Sequence, residues 1–274
     1  MGPGGSGTIP GVSSGPRPKI SARNVGKTYD TAIGKGVAIQ DFNLDVAEGE
    51  FVCIVGPSGC GKSTFLRILA GLTPLSSGSI DIAPGAPGKP LNSVVFQEYA
   101  IFPWKTVLDN VAFGLQMRGI GKRERTEVAR QWLERVGLLK FQDYYPAQLS
   151  GGMKQRVAIA RALANDPEVL LMDEPLGALD AQTKTVLQAE LMRIWEEHRK
   201  TVVYITHSID EAVLLADRVV IMTAHPGTLK TEFTVDLPRP RDITTTSTPE
   251  FAAMTGLVWQ ALEDEVRKSM ESQR

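Results

Sequence analysis

The segment Gly56-Pro57-Ser58-Gly59-Cys60-Gly61-Lys62-Ser63-Thr64 lies between an apolar run, Phe51–Val55, and a helical pattern, Ser63–Leu72. Glycines at these positions let backbone N–H groups turn inward around an anion, and a helix N-terminus behind them adds its partial positive charge. Closed by a lysine and two hydroxyl residues, the segment is a phosphate-binding loop: Lys62 is placed to reach β and γ phosphates and Ser63 to ligate Mg²⁺. A second chemical group follows downstream, where the apolar run Val169-Leu170-Leu171-Met172 ends in Asp173-Glu174-Pro175. Ligands of open α/β sheets collect at the carboxyl ends of strands, so Asp173 is expected at the metal. Consecutive strand residues point to opposite sides, which frees Glu174 to orient and deprotonate an attacking water.

Leu149-Ser150-Gly151-Gly152-Met153-Lys154-Gln155-Arg156 opens a helical pattern whose apolar positions include Val157, Ile159 and Leu163. A serine N-cap followed by two glycines makes a second exposed helix N-terminus able to take a phosphate; spacing alone also admits a plain capped helix.

Positioning these groups requires a sheet. Continuous apolar runs at Phe51–Val55, Val169–Met172 and Val202–Thr206 read as strands covered on both faces, and helical patterns at Ser63–Leu72, Thr183–His198 and Asp210–Ala216 alternate with them. This alternation predicts a parallel sheet with helices on both faces. Lys19–Tyr29 and Val37–Val46 are more polar and alternate, as in a half-exposed antiparallel layer at an edge. Between Pro103 and Ala164 strand signals vanish, and Val128, Trp132, Leu133 and Val136 recur at helical spacing, which predicts an inserted helical lobe. After Leu237, prolines and a Thr/Ser run read as a linker leading to a helix from Pro249 to about Met270. The Gly/Pro/Ser-rich residues 1–18 read as a flexible tail without the pattern of a signal peptide.

The 274 residues carry 30 basic and 31 acidic side chains, so no bulk positive field points to nucleic acid or an anionic membrane. The longest apolar runs fall far short of the roughly 18 to 20 residues that span a bilayer. The two cysteines, Cys53 and Cys60, lack the spacing of a metal site or disulfide framework and read as reduced.

The Leu149-Ser150-Gly151-Gly152 segment followed by Gln155 and Arg156, lying between a phosphate loop and an Asp-Glu strand end, resembles the signature motif of ATP-binding cassette (ABC) ATPases. Further motifs of that family match in order. Gln97 after the strand Ser93–Phe96 resembles the Q-loop, Leu176-Gly177-Ala178-Leu179-Asp180 the D-loop, and Thr206-His207 the switch histidine, while Tyr29 stands where an aromatic stacks on adenine. The resemblance spans residues 19 to 237, with the helical subdomain at about 98 to 164. It implies an α/β P-loop NTPase (RecA-like) core with an antiparallel β layer and an inserted helical subdomain. It further implies ATP hydrolysis with Mg²⁺, with Ser63, Gln97 and Asp173 at the metal and His207 at the γ-phosphate. Ser150, Gly151 and Gly152 would act across a homodimer on the nucleotide held by the other subunit's residues Gly56 to Thr64. The partners implied are a second cassette, transmembrane permease subunits and, indirectly, a substrate-binding protein, with the chain at the cytoplasmic face of the membrane.

A narrower resemblance, to the nitrate, sulfonate and taurine branch of bacterial importers, rests on Phe96-Gln97-Glu98-Tyr99, Ile101-Phe102-Pro103-Trp104, Val107-Leu108-Asp109-Asn110-Val111, His207-Ser208-Ile209-Asp210-Glu211-Ala212 and the turn Ala224-His225-Pro226-Gly227. Ser208 departs from the Asp common after the switch histidine. The rival readings are an exporter ATPase, a soluble ABC protein acting on DNA or ribosomes, and a nucleotide-binding scaffold without turnover. The second is opposed by the single cassette, the lack of a coiled-coil insertion or cysteine clusters and the balanced charge; the third by intact Lys62, Asp173, Glu174 and His207. Trp104 is expected either in the core of the helical lobe or in a groove that receives a permease helix.

Overall fold

The computed structural model describes residues 17–31 and 34–271, so the tail expected over residues 1–18 lies outside the described residues except for Arg17 and Pro18. In chain order the elements are β1 (Ile20–Thr31), β2 (Gly34–Val46), β3 (Phe51–Val55), α1 (Lys62–Leu69), β4 (Ser77–Ile82) and β5 (Asn92–Val95). The helical lobe follows as α2 (Val107–Val111), α3 (Phe113–Met117), α4 (Lys122–Arg135) and α5 (Gly151–Ala164). The chain then returns through β6 (Val169–Asp173), α6 (Ala181–His198), β7 (Thr201–Ile205), α7 (Ile209–Leu215), β8 (Arg218–Met222), β9 (Leu229–Thr234) and α8 (Pro249–Glu271).

Six strands form the central sheet in the order β5-β6-β7-β3-β8-β9, parallel except for the β8–β9 pair. Strands β3, β6 and β7 are buried along their whole length, which is why their sequences are continuous apolar runs. Period-two alternation divides β3 between two cores. Val52 and Ile54 face a layer containing Phe65 and Leu66 of α1 and Phe42 and Leu44 of β2. Phe51, Cys53 and Val55 face α5, α6 and α7, with Phe51 packed edge-on against Trp195 at 5.5 Å between ring centroids. Helix α1 is thus clamped between two sheets, and the Phe42 and Phe65 rings meet at 4.5 Å. Burying each such ring contributes about 1.5 to 3 kcal/mol, so the helix behind the phosphate loop is held firmly.

The N-terminal strands, expected at an edge, form a separate three-stranded antiparallel sheet, β2-β1-β4. The sequence reading passed over β4 and β9, and both are polar edge strands with no fully buried position. Pairing holds them: Ile20 faces Ile82 across β1 and β4, and Gly78, at φ 82°, admits a close approach of the Asn24 carbonyl that a Cβ would block. In α4, Ala129 and Leu133 are buried while Val128 and Trp132 pack half-buried on the same core. Helix α8 docks on α7 and β8 through Phe251, Val258 and Leu262. No helix among the described residues is long and apolar enough to cross a membrane.

Candidate active site

Gly61 is the N-cap of α1 at φ 106°, a left-handed conformation that costs an L-residue energy, and a Cβ there would stand 2.8 Å from the Ala38 carbonyl. The loop is therefore shaped by both conformation and packing. Lys62 is buried, with its Nζ donating to the carbonyls of Gly56 and Pro57 at 2.8 Å each and no carboxylate within ion-pair distance among the described residues. A buried ammonium whose partners are all neutral, the two carbonyls and the Cys60 sulfur at 3.8 Å, calls for an anion, and it faces a cleft of about 410 Å³. Ser58, Gly59 and Gly61 to Thr64 line one side of that cleft; Ala38, Gln97, Glu174 and His225 line the others. Cys60 is buried beneath the loop, where burial pushes its thiol pKa up against the lowering effect of the Lys62 ammonium.

The Ser63 hydroxyl donates to Asp173 Oδ1 at 2.8 Å, joining the end of β6 to the first turn of α1. Burial raises the Asp173 carboxyl pKa against the lowering effect of this hydrogen bond, with neighbouring Glu174 adding to the rise. Ser63 and Asp173 also border an adjoining cleft with Gln97 and Arg67. No group of three or more His, Cys, Asp or Glu among the described residues forms a metal cage. Two or three hard oxygen donors beside a phosphate cradle suit Mg²⁺, which takes one or two carboxylates together with substrate phosphates. The residues present therefore fit both a polyphosphate and its Mg²⁺.

Glu174 diverges from Asp173 for a reason other than strand alternation. β6 ends at Asp173, and Glu174 adopts φ 43°, its N–H bound to the Ile205 carbonyl and its own carbonyl accepting from Gly177 N–H. This left-handed residue turns the side chain into the cleft, where Oε2 lies 2.9 Å from His207 Nδ1. His207 is in turn set by a buried carboxylate, Glu211, which accepts from the hydroxyls of Tyr204 and Thr206 and from the Gln188 amide. Thr206 Oγ1 accepts from Ser208 N–H at 3.0 Å, fixing the peptide on the far side of the histidine. Ser208 caps α7, its Oγ accepting from Glu211 N–H; Ser and Asp cap equally well, so the departure from Asp leaves the loop intact.

The Gly151–Gly152 helix start lies apart from these groups. Ser150 caps α5, accepting from Met153 N–H at 3.3 Å, and none of Ser150, Gly151 or Gly152 is among the residues lining the cleft. A Cβ at Gly152 would meet the Thr183 side chain at 2.6 Å and one at Gly151 the Tyr99 hydroxyl at 2.8 Å, so a larger residue at either position requires its neighbour's side chain to shift. Asp180 of the neighbouring segment caps α6 through Thr183 N–H. Tyr29 also stands outside the cleft lining, half-exposed on β1 with Lys27 Nζ 4.8 Å from its ring centroid.

Sequence reasoning assigned no role to Ala38, His225, Glu211 or Asn110. The first lines the cleft from β2 and has no signal of its own. The His225 turn and Glu211 were visible only as parts of longer motifs. Asn110, fully buried, accepts from Phe102 N–H and donates to the carbonyls of Phe102, Lys105 and Thr106, and so fixes the loop that presents Trp104. Trp104 is 70% exposed, which removes it from the lobe's core.

The family model for ABC transporters matches residues 39–177 of the chain. An ABC transporter ATP-binding protein of Methanocaldococcus jannaschii is 49% identical over 259 residues, 92% of this chain and 94% of the relative. A nitrate import ATP-binding protein of Synechococcus elongatus is 51% identical over 223 residues, covering 80% of this chain and 81% of the relative. A bicarbonate transport ATP-binding protein of the same organism is 48% identical over 239 residues, 84% of each. Among solved structures, an ATP-binding cassette in a dimeric post-hydrolysis state bound to ADP and Pi matches with TM-score 0.71 and 35% identity, over 80% of this chain and all of the other.

Proposed function

Because the chain belongs to the ABC transporter family as an ATP-hydrolysing, ATP-binding subunit, we propose that it works as half of a two-fold pair driving import of a small anion through a partner permease. The observation that carries this reading is the separation of the two phosphate-type helix starts. The α1 cradle with Lys62 lines one side of the cleft, whereas the Ser150–Gly152 start, likewise capped, is not among the residues that line it. A second copy turned by a two-fold axis supplies the missing face to each cleft, and the dimeric solved cassette supports that arrangement.

In this reading the loop N–H groups and Lys62 bind the phosphates, and Ser63, Asp173 and Gln97 hold Mg²⁺. When bound, Mg²⁺ neutralises charge on the phosphate oxygens. Glu174 takes the proton of the attacking water, and His207, outside the residues that line the cleft but hydrogen-bonded to Glu174, keeps that carboxylate aimed. Tyr29 offers its ring to the adenine. The chain sits peripherally at the cytoplasmic face, held there by the permease, and a separate binding protein delivers the anion. Nitrate and bicarbonate head the candidate cargoes because two relatives carry those names, with sulfonates next by motif resemblance.

Vesicles containing the chain with its co-purified permease and binding protein test the cargo. ATP-dependent movement of nitrate, bicarbonate or a sulfonate from the binding-protein side to the side that carries the cassette is the expected result; ATP-dependent movement the other way would overturn the direction.

Trp104 is the coupling contact in this scheme. Its ring packs on Phe102 at 5.6 Å between centroids, Phe102 packs on Phe113 at 4.5 Å, and Asn110 holds the loop a few residues beyond Gln97. Exposed aromatics on rigid supports anchor interfaces. Trp104→Ala is therefore expected to leave chemical denaturation of the isolated chain within about 0.5 kcal/mol of the parent, as for exposed positions generally, while weakening co-purification with the permease. Full assembly and transport with the variant would remove Trp104 from the interface.

A further inference from the structure

The turn between β8 and β9 brings His225 to the wall of the nucleotide cleft, and it is held there from two directions. On the inside, Gly227 is wedged against the phosphate loop: its N–H donates to the Ala38 carbonyl at 3.0 Å, its carbonyl accepts from Gln40 N–H at 3.0 Å, and a Cβ would lie 2.1 Å from the Cys60 carbonyl. Within the turn, Thr223 Oγ1 donates to the Pro226 carbonyl and accepts from Thr228 N–H. On the outside, Ala224 N–H donates to Glu265 Oε2 of α8 at 2.9 Å.

Glu265 is buried, and its carboxylate is also paired with Lys230 at 3.0 Å and Lys268 at 2.9 Å. Burial opposes its ionisation, but the Ala224 N–H and the two ammonium groups outweigh burial and bring its pKa down to about 2. The acceptor for the turn is thus a fixed anion throughout the neutral range. Apolar contacts of Phe251, Val258 and Leu262 lock α8 to the body of the protein. Two rigid bodies, the phosphate loop and the C-terminal helix, therefore fix one residue of the turn on each side of His225.

Position within the cleft indicates what His225 meets. Lys62, Ser63 and Asp173 mark the phosphate end. His225 shares its wall with Ala38 of β2, two residues past Gly36, the strand partner of Tyr29. With Tyr29 offering its ring to the adenine as proposed above, that wall lies on the base and sugar side.

We propose that His225 contacts the sugar-side oxygens of the bound nucleoside triphosphate and that Glu265 is the positioning residue holding it there, so that the C-terminal helix sets nucleotide affinity. This rests on reading the cleft as the ATP site. An unmodified chain that binds no adenine nucleotide would defeat that reading itself, whereas binding that ignores His225 defeats only the present inference.

The test is calorimetric titration of the full chain with Mg-ADP, with inorganic pyrophosphate as a probe of the phosphate cradle alone. His225→Ala is expected to raise the ADP Kd about fivefold to tenfold, the loss of one hydrogen bond of ordinary strength, and to leave pyrophosphate affinity as it was. Glu265→Gln keeps size while losing charge, and is expected to raise the ADP Kd about threefold in the parent but not in the His225→Ala background, because it acts through the same contact. A merely structural role for Glu265 would add its effect in both backgrounds and would weaken pyrophosphate too. An unchanged ADP Kd for His225→Ala, or full additivity of the pair, overturns the proposal.

Discussion

Replacing Glu174 by Gln is expected to lower steady-state ATP turnover by about two to three orders of magnitude, the usual contribution of a positioned general base. ATP should still bind with an affinity close to that of the parent chain. Glutamine keeps the shape and hydrogen-bonding reach of the side chain, and none of the phosphate-cradle groups, Lys62, Ser63 or the loop N–H groups, depends on the Glu174 charge for its position. What it removes is the proton acceptor 2.9 Å from His207 Nδ1. Loss of turnover without loss of binding identifies an interaction made in the transition state alone. Phosphate release measured beside equilibrium ATP binding checks both halves. Near-parental hydrolysis would deny Glu174 its role, and a parallel collapse of binding would make it a structural residue of the turn that its φ of 43° helps to form.

Mixing two inactive variants gives the second large effect. Lys62→Ala removes the buried cation from the cradle, and Gly151→Asp drives a side chain into space where even a Cβ lies 2.8 Å from the Tyr99 hydroxyl. The carboxylate would also meet the helix start that is proposed to face a phosphate. Each homodimer should therefore lose nearly all hydrolysis. In a heterodimer, a shared site predicts one cleft with both faces intact and one with both damaged. Random assembly makes about half of the pairs heterodimers, so turnover should recover to roughly a quarter of the parent value if the clefts act independently. Recovery is measured as phosphate release from permease-assembled mixtures, with melting of each isolated variant recorded to confirm folding. Defined heterodimers in which Gly151→Asp silences only the cleft of its own chain would sink the sharing arrangement.

Much of the site could be read from residue order because its chemistry is local. A phosphate loop needs its glycines, lysine and hydroxyl within nine consecutive positions, and the strand–loop–helix setting of Gly56 to Thr64 follows from the apolar runs on either side. The bounds of β3 were legible for the same reason, since a strand buried on both faces shows as an unbroken apolar run. Edge strands β4 and β9 were not, because a polar edge is held by its partner's backbone, which leaves little mark on its own side chains. Residue order placed Glu174 beside Asp173; only the folded chain showed that a left-handed backbone, and not strand alternation, sends the carboxylate towards His207. Whether Trp104 is core or surface was open in the sequence and is decided by what packs around it. The same holds for Glu211 beneath Thr206 and His207 and for His225, brought to the phosphate loop from more than 150 residues away and braced by Glu265. Local hydrogen-bonding chemistry is written in short segments, whereas distance, burial and the pairing of remote groups exist only once the sheet and its helices have closed on one another.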